Sequence, residues 1–165
     1  MAYTASQYPE FAISSAVAGK KFLLYIAFDG KWTLVGGLRD TGLSMSADSI
    51  DASSKDAGGW GESIPGMRSW SSSPTMVVKT NNPGDAIIEA WVLDEELQNQ
   101  RPALLFAFVN SQTKEYYYGF GSVTTYDFEA AHDDVMTKSI EIAGKGPITK
   151  AENFDANTLP ETATA

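Results

Sequence analysis

Glu129-Ala-Ala-His-Asp-Asp134 carries the only histidine of the chain beside three carboxylates. Histidine and carboxylates this close together have the ligand chemistry of a hard or borderline divalent cation. The same residues fall where a hairpin turn is needed, however, and a turn asks for little beyond polarity. We read the stretch as a turn and expect no metal and no other cofactor. Catalytic groups are scarcer still. One histidine, no cysteine and no serine in a G-x-S-x-G elbow leave no nucleophile and base to pair. Gly119-Phe-Gly121 is an isolated G-x-G within a strand pattern, without the following helix that a phosphate cradle uses. Two carboxylates from distant segments can cleave a glycosidic bond, but no spacing here singles out a pair. The chain reads as a non-enzyme.

The aromatic residues point elsewhere. Trp32 and Trp91 lie at strand and helix spacing and belong to a core, where large aromatics are usually buried. Trp60 and Trp70 belong to the stretch Ile50–Trp70, IDASSKDAGGWGESIPGMRSW, or to its edge. That stretch is rich in glycine and serine and has no helical period, yet it carries Trp60, Ile64, Met67 and Trp70. A flexible linker has no use for such side chains. Exposed apolar groups in a long loop mark a contact with another molecule, or else a loop folded back on its own domain.

The elements that must position these residues are mostly strands. A chain of 165 residues is read as one domain, large enough to bury a core. Residues 1–19 form an arm in which Tyr3, Tyr8 and Phe11 have no evident place in the body, so we expect them to cross onto a neighbouring subunit. KKFLLYIAFDGKWTLVGG predicts a hairpin turning at Asp29-Gly30. Ser44, Ser46 and Asp48 alternate with Leu43, Met45 and Ala47 in a half-buried strand, whose polar strip Asp51 could extend. DAIIEAWVLDEELQNQ predicts one helix, with Asp85 as its N-cap and Arg101-Pro102 as its stop. ALLFAFVN and EYYYGFGSV predict a second hairpin. SVTTYDFEAAHDDVMTKSIEIAG predicts a third, in which Thr125, Asp127, Thr137, Ser139 and Glu141 share a polar face. Residues 151–165 read as a flexible tail or an assembly-dependent arm. The sum is a mainly β chain: a β-sandwich or barrel of about seven or eight strands, with one flanking α-helix and a long inter-strand loop.

The net charge of −9 argues against a protein that grips nucleic acid through its phosphates. The longest apolar run, FLLYIAF, is too short to span a bilayer, and neither a targeting segment nor a membrane partner is expected.

Taken in order, the DG hairpin, GGLRDTGLSMSADSIDASSKDAGGWGESIPGMRSW, and GFGSVTTYDFEAAHDDVMTKSIEIAGKGPIT resemble the major tail protein family of long, non-contractile-tailed phages. The resemblance covers about residues 20–150. It implies a structural tube protein of the virion, assembled in the host cytoplasm. Six copies would make a ring, and rings would stack around a tape-measure protein between a tail-tip initiator and a tail terminator. DNA would later pass through without specific binding. If each copy gives four strands to one barrel, about 24 strands at about 4.8 Å spacing and about 40° tilt enclose about 48 Å at the backbone, and about 35–40 Å inside the side chains.

The resemblance makes the loop 53–67 the contact between rings. Trp60, Ile64 and Met67 would bury apolar area there, and Lys55, Asp56, Glu62 and Arg68 would set the register. A lumen that must not hold phosphates wants acidic and small polar groups. The candidates are Ser44, Ser46, Asp48, Asp51, Thr125, Asp127, Thr137, Ser139 and Glu141, unless those faces simply meet solvent. Two other readings stand beside this one: a β-sandwich that presents aromatics to carbohydrate, as in an adhesin, and the tube of a tailocin or secretion device.

Overall fold

The computed structural model describes residues 21–130 and 132–160; the arm carrying Tyr3, Tyr8 and Phe11 lies outside them. In chain order the strands are β1 (Phe22–Phe28), β2 (Lys31–Leu34), β3 (Leu38–Asp40), β4 (Ser44–Asp51), β5 (Ser63–Ser72) and β6 (Thr75–Val77). Helices α1 (Pro83–Leu93) and α2 (Glu95–Gln100) follow, then β7 (Leu104–Asn110), β8 (Tyr116–Glu129) and β9 (Thr137–Ala151). All nine strands belong to one sheet, with the path β2-β1-β7-β8-β9-β5-β4, and β6 linking β9 to β3. The chain is mainly β, as expected, and among the described residues its single sheet does not close into a barrel.

The predicted strand count differs for local reasons. β5 and β6 keep one register against β9, Ser72 facing Ile142 and Thr75 facing Ser139. They are one strand interrupted at Pro74, which has no N–H to give although its carbonyl accepts from Ile140 N at 3.1 Å. β3 and β4 follow the same edge, pairing with β6 and β5. Conversely, β8 is a single strand where the sequence reading ended one hairpin and began another. Asp29 and Gly30, both at positive φ, make the predicted turn between β1 and β2.

Trp70 is a correction: it is 4% exposed and sits in the main core against Phe108. Its indole lies on Gly119, Gly121 and Gly144, where any Cβ would press into the ring. The G-x-G of β8 is therefore a seat for a core tryptophan. Gly144→Ala is expected to destabilise the fold by about 1–3 kcal/mol through overpacking, read in a urea titration. An unchanged midpoint would show that the indole has room to move.

The predicted single helix is two. Asn82, not Asp85, caps α1: its Oδ1 accepts from Asp85 N (3.4 Å) and from Gly36 N (3.0 Å), and its Nδ2 donates to Gly36 O (2.8 Å). One amide thus ties the helix start to the turn after β2. Asp94 breaks the helix by accepting from Glu96 N and Leu97 N, which caps α2. Gln98 then satisfies the open carbonyls of Trp91 and Val92 at the end of α1.

Residues 152–160 also depart from the expected free tail. Phe154 packs on Tyr25, Trp32 and Tyr116, its N–H donates to Lys114 O, and Trp32 N donates to Ala156 O. This segment covers the second apolar face of β1, β7 and β8. The charge-poor apolar residues Phe154 and Leu159 are what the compositional reading passed over.

Candidate functional site

Two surfaces stand out, a polar sheet face and a projecting hairpin. Between β8 and β9 the register places Thr125 opposite Glu141, Asp127 opposite Ser139 and Glu129 opposite Thr137. The alternate residues, Tyr126, Ile140 and Ile142, enter the core. The polar face inferred from alternation is therefore one face, and Thr125 Oγ1 donates to Glu141 Oε2 across it at 3.2 Å.

Pairing carries the face on through Ser71, which opposes Ala143, and then to Ser44 opposite Ser71 and Ser46 opposite Ser69. The Ser46 and Ser69 hydroxyls lie 3.1 Å apart. Thr75 and Asp40 extend it along β6 and β3. Sequence alternation finds more than half of this surface. It misses Asp40, Ser69, Ser71, Thr75 and Glu129, whose membership depends on which strands are neighbours.

Asp48 continues the alternation of Ser44 and Ser46. Asp51 does not: it falls on the other face with Ala47 and Ser49, and its carboxylate accepts from Ser53 N at 2.9 Å. At the start of the turn, hydrogen bonding from the Ser53 side chain, and then from its backbone N–H, holds the Asp51 carboxyl below its ordinary range. Its assignment to the polar strip is corrected.

The long loop is also corrected. Ser53–Met67 is not structureless, because β5 begins at Ser63 and the stretch closes a β4–β5 hairpin. Ile50 faces Ile64 and Asp51 faces Ser63. Ala52 N donates to Glu62 O (2.9 Å), and Glu62 N donates to Ser53 Oγ (2.9 Å). Only residues 52–62 lie outside the strands. They form a 3-10 turn at Lys55–Ala57, followed by Gly58 and Gly59 at positive φ. Isolated two-stranded ribbons are marginal, and alternation is hard to see where glycine and proline interrupt it. An extra residue of β5 near Gly66 and Met67 bulges the ribbon, which hides its period further.

All eight residues of β4 are exposed. Trp60 is 83% and Met67 79% exposed, and Ile50 and Ile64 also face outward. Lys55, Asp56, Glu62 and Arg68 are exposed on the same hairpin. Large apolar side chains held out on a formed ribbon cannot be accounted for by the fold of one chain.

The other sequence candidate is simple. His132 Nε2 lies 3.9 Å from Asp133 in the turn between β8 and β9, and both side chains are almost fully exposed. No group of three metal-ligating side chains occurs among the described residues. No helix among them is long and apolar enough to cross a membrane.

A family model described as phage tail tube protein matches residues 16–150. The chain belongs to the phage tail tube protein family. The tube protein is thus a structural component of the virion tail and not an enzyme, and copies of itself are its partners. Its fold is similar to that in the tail of an empty gene transfer agent particle determined with C6 symmetry, at 23% identity and a TM-score of 0.70. That match covers 82% of this chain and 99% of the other. The SPP1 tail tube matches at 16% identity and a TM-score of 0.68, covering 86% and 82%. The sheath–tube complex of an extracellular contractile injection system matches at 16% and 0.55, covering 92% and 100%. No curated protein matches the sequence.

Proposed function

We propose that six copies close one continuous β-barrel whose inner face is the polar face, and that the β4–β5 hairpin stacks each ring on the next. The observation that carries this is the direction of the strands at the two open edges. β8, β9, β5 and β4 pair antiparallel in sequence, so β4 runs opposite to β8. β7 pairs with β8 only up to Gly121, which leaves Ser122–Glu129 as a free edge, and β4 is the edge on the other side. Rotating a copy about a ring axis brings the β4 of one against the β8 of the next, antiparallel again. An even number of strands per copy is what lets the alternation run around a ring without a fault. Unpaired strand edges of this length also invite such pairing. The C6 symmetry of the gene transfer agent tail supports six copies and about 24 strands.

The lumen would then carry Asp127, Glu129 and Glu141 beside Ser44, Ser46, Asp48, Thr125, Thr137 and Ser139. Such a wall repels phosphate, so DNA passes without stalling. The tape-measure protein would fill the same space before ejection, with a tail-tip initiator and a terminator at the two ends of a non-contractile tail. Negative-stain electron microscopy of the purified protein over a concentration series, with and without an initiator complex, tests this. Hollow tubes or six-fold rings are expected. A monomer under every condition would remove the ring, and a sheath co-purifying with the tube would replace the non-contractile reading.

The charge of the wall has its own test. In tubes of Asp127→Lys with Glu141→Lys, short duplex DNA is expected to be retained at low salt and released as salt rises. Tubes that stay free of DNA would place this face outside the lumen.

A further inference from the structure

A head-to-tail stack needs a receiving surface at the end of the subunit opposite the hairpin tip. Five antiparallel pairings separate β1 from β4, so the two strands run in opposite directions. β4 ends at the hairpin tip, and β1 ends at Phe28, toward the other end of the sheet. There, between the end of β1, the start of β7 and the helix pair, lies an apolar groove of about 590 Å³. Phe28, Ile87, Leu97 and Phe120 line it, and Phe28 and Phe120 remain exposed. Grooves of about 300–1000 Å³ hold drug-sized molecules, so an indole fits with space for a second side chain.

Charge selects the occupant. At the tip, Trp60 shares a shallow concavity with Asp56 and Glu62. In the groove wall, Arg101 donates to Gln100 O at 3.0 Å and pairs with no carboxylate among the described residues. Asp29, on the same wall, carries a charge opposite to that of Lys55 at the tip. We propose that Trp60 of one copy seats in this groove on a copy in the adjacent ring, with Asp56 and Glu62 facing Arg101. This rests on the stacking role proposed for the hairpin. It makes the contact heterologous, with a knob and a socket on every copy, which is the arrangement that propagates a stack instead of closing a dimer.

The chain has no cysteine, so Gly61→Cys with Ala90→Cys introduces the only two thiols. Gly61 has an ordinary φ, a Cβ there would meet only Ser53 Oγ at 3.9 Å, and Ala90 lies on the groove face of α1. Oxidised tubes of the double variant are expected to give a ladder of linked subunits on a non-reducing gel, absent from either single variant. Arg101→Glu is expected to leave rings that no longer stack, and adding Glu62→Arg in the same chain to restore tubes. A ladder or a charge rescue sustains the proposal. Neither, in a variant series that still forms tubes, overturns it. The stacking role is judged separately by Trp60→Ser: loss of stacking there keeps the hairpin and moves its socket elsewhere, and normal tubes remove both.

Discussion

Replacing Trp60 and Ile64 by serine is expected to leave rings intact and stop them stacking, so that micrographs show discs where the parent protein shows tubes. Both side chains are exposed in the single chain, so their loss costs the fold little. Surface substitutions away from buried contacts change stability by about 0.5 kcal/mol or less. In a stack the same residues become buried anchors, and truncating an aromatic anchor costs about 2 kcal/mol or more per contact. Each ring would make that contact six times over, so a loss of about 12 kcal/mol per ring junction follows from the same figure. A thermal melt unchanged within a degree or two, together with loss of tubes, is the paired result that supports the reading. Tubes of normal length in the double variant would sink it.

Asp85→Ala is expected to lower stability by about 3–5 kcal/mol. Asp85 on α1 and Lys138 on β9 are both buried, and Lys138 is only 2% exposed. Lys138 Nζ lies 2.5 Å from Asp85 Oδ2 and 2.6 Å from the Tyr126 hydroxyl, which donates to Asp85 Oδ1 at 2.9 Å. The ammonium also sits over the rings of Tyr126 and Phe128. Burial, with Asp85 and Glu89 nearby, pushes the Tyr126 hydroxyl well above its ordinary pKa, so it remains a donor through the whole working pH range. Removing the carboxylate leaves a buried ammonium with one neutral partner.

For a chain of this size the expected fall in melting temperature is about 10 °C, at about 2–4 °C per kcal/mol. The pair itself is worth less than its breakage, because desolvating two charges offsets most of their attraction. Asp85→Leu with Lys138→Met is therefore expected to recover most of the loss. A single variant that melts within about two degrees of the parent would show that water reaches the site.

The same pair marks a limit of the sequence reading. Asp85 follows Asn-Pro-Gly and precedes an apolar stripe, a pattern that fits an N-cap. Asn82 holds that role because it also reaches Gly36, a partner 46 residues away. Lys138 sits between Thr137 and Ser139 in a strand whose alternation assigns it to the apolar side, and a lysine there is explained only by a carboxylate arriving from the helix. Trp70 failed in the same way: its seat is three glycines from two distant strands.

Alternation, turn chemistry and composition determined the mainly β class, the Asp29-Gly30 hairpin, the β8–β9 turn at His132 and the polar faces of β4, β8 and β9. These are local properties, because a two-residue period and a left-handed turn depend on neighbours in the chain. The tertiary structure alone decided which strands adjoin, and so which polar strips merge into one face. It also decided that the glycine-rich loop is a formed hairpin, that the tail segment covers a second apolar face, and that two edges are left open whose strands run in opposite directions. Each depends on pairing between residues far apart in sequence, and pairing energy is spread over backbone hydrogen bonds that every residue type can make.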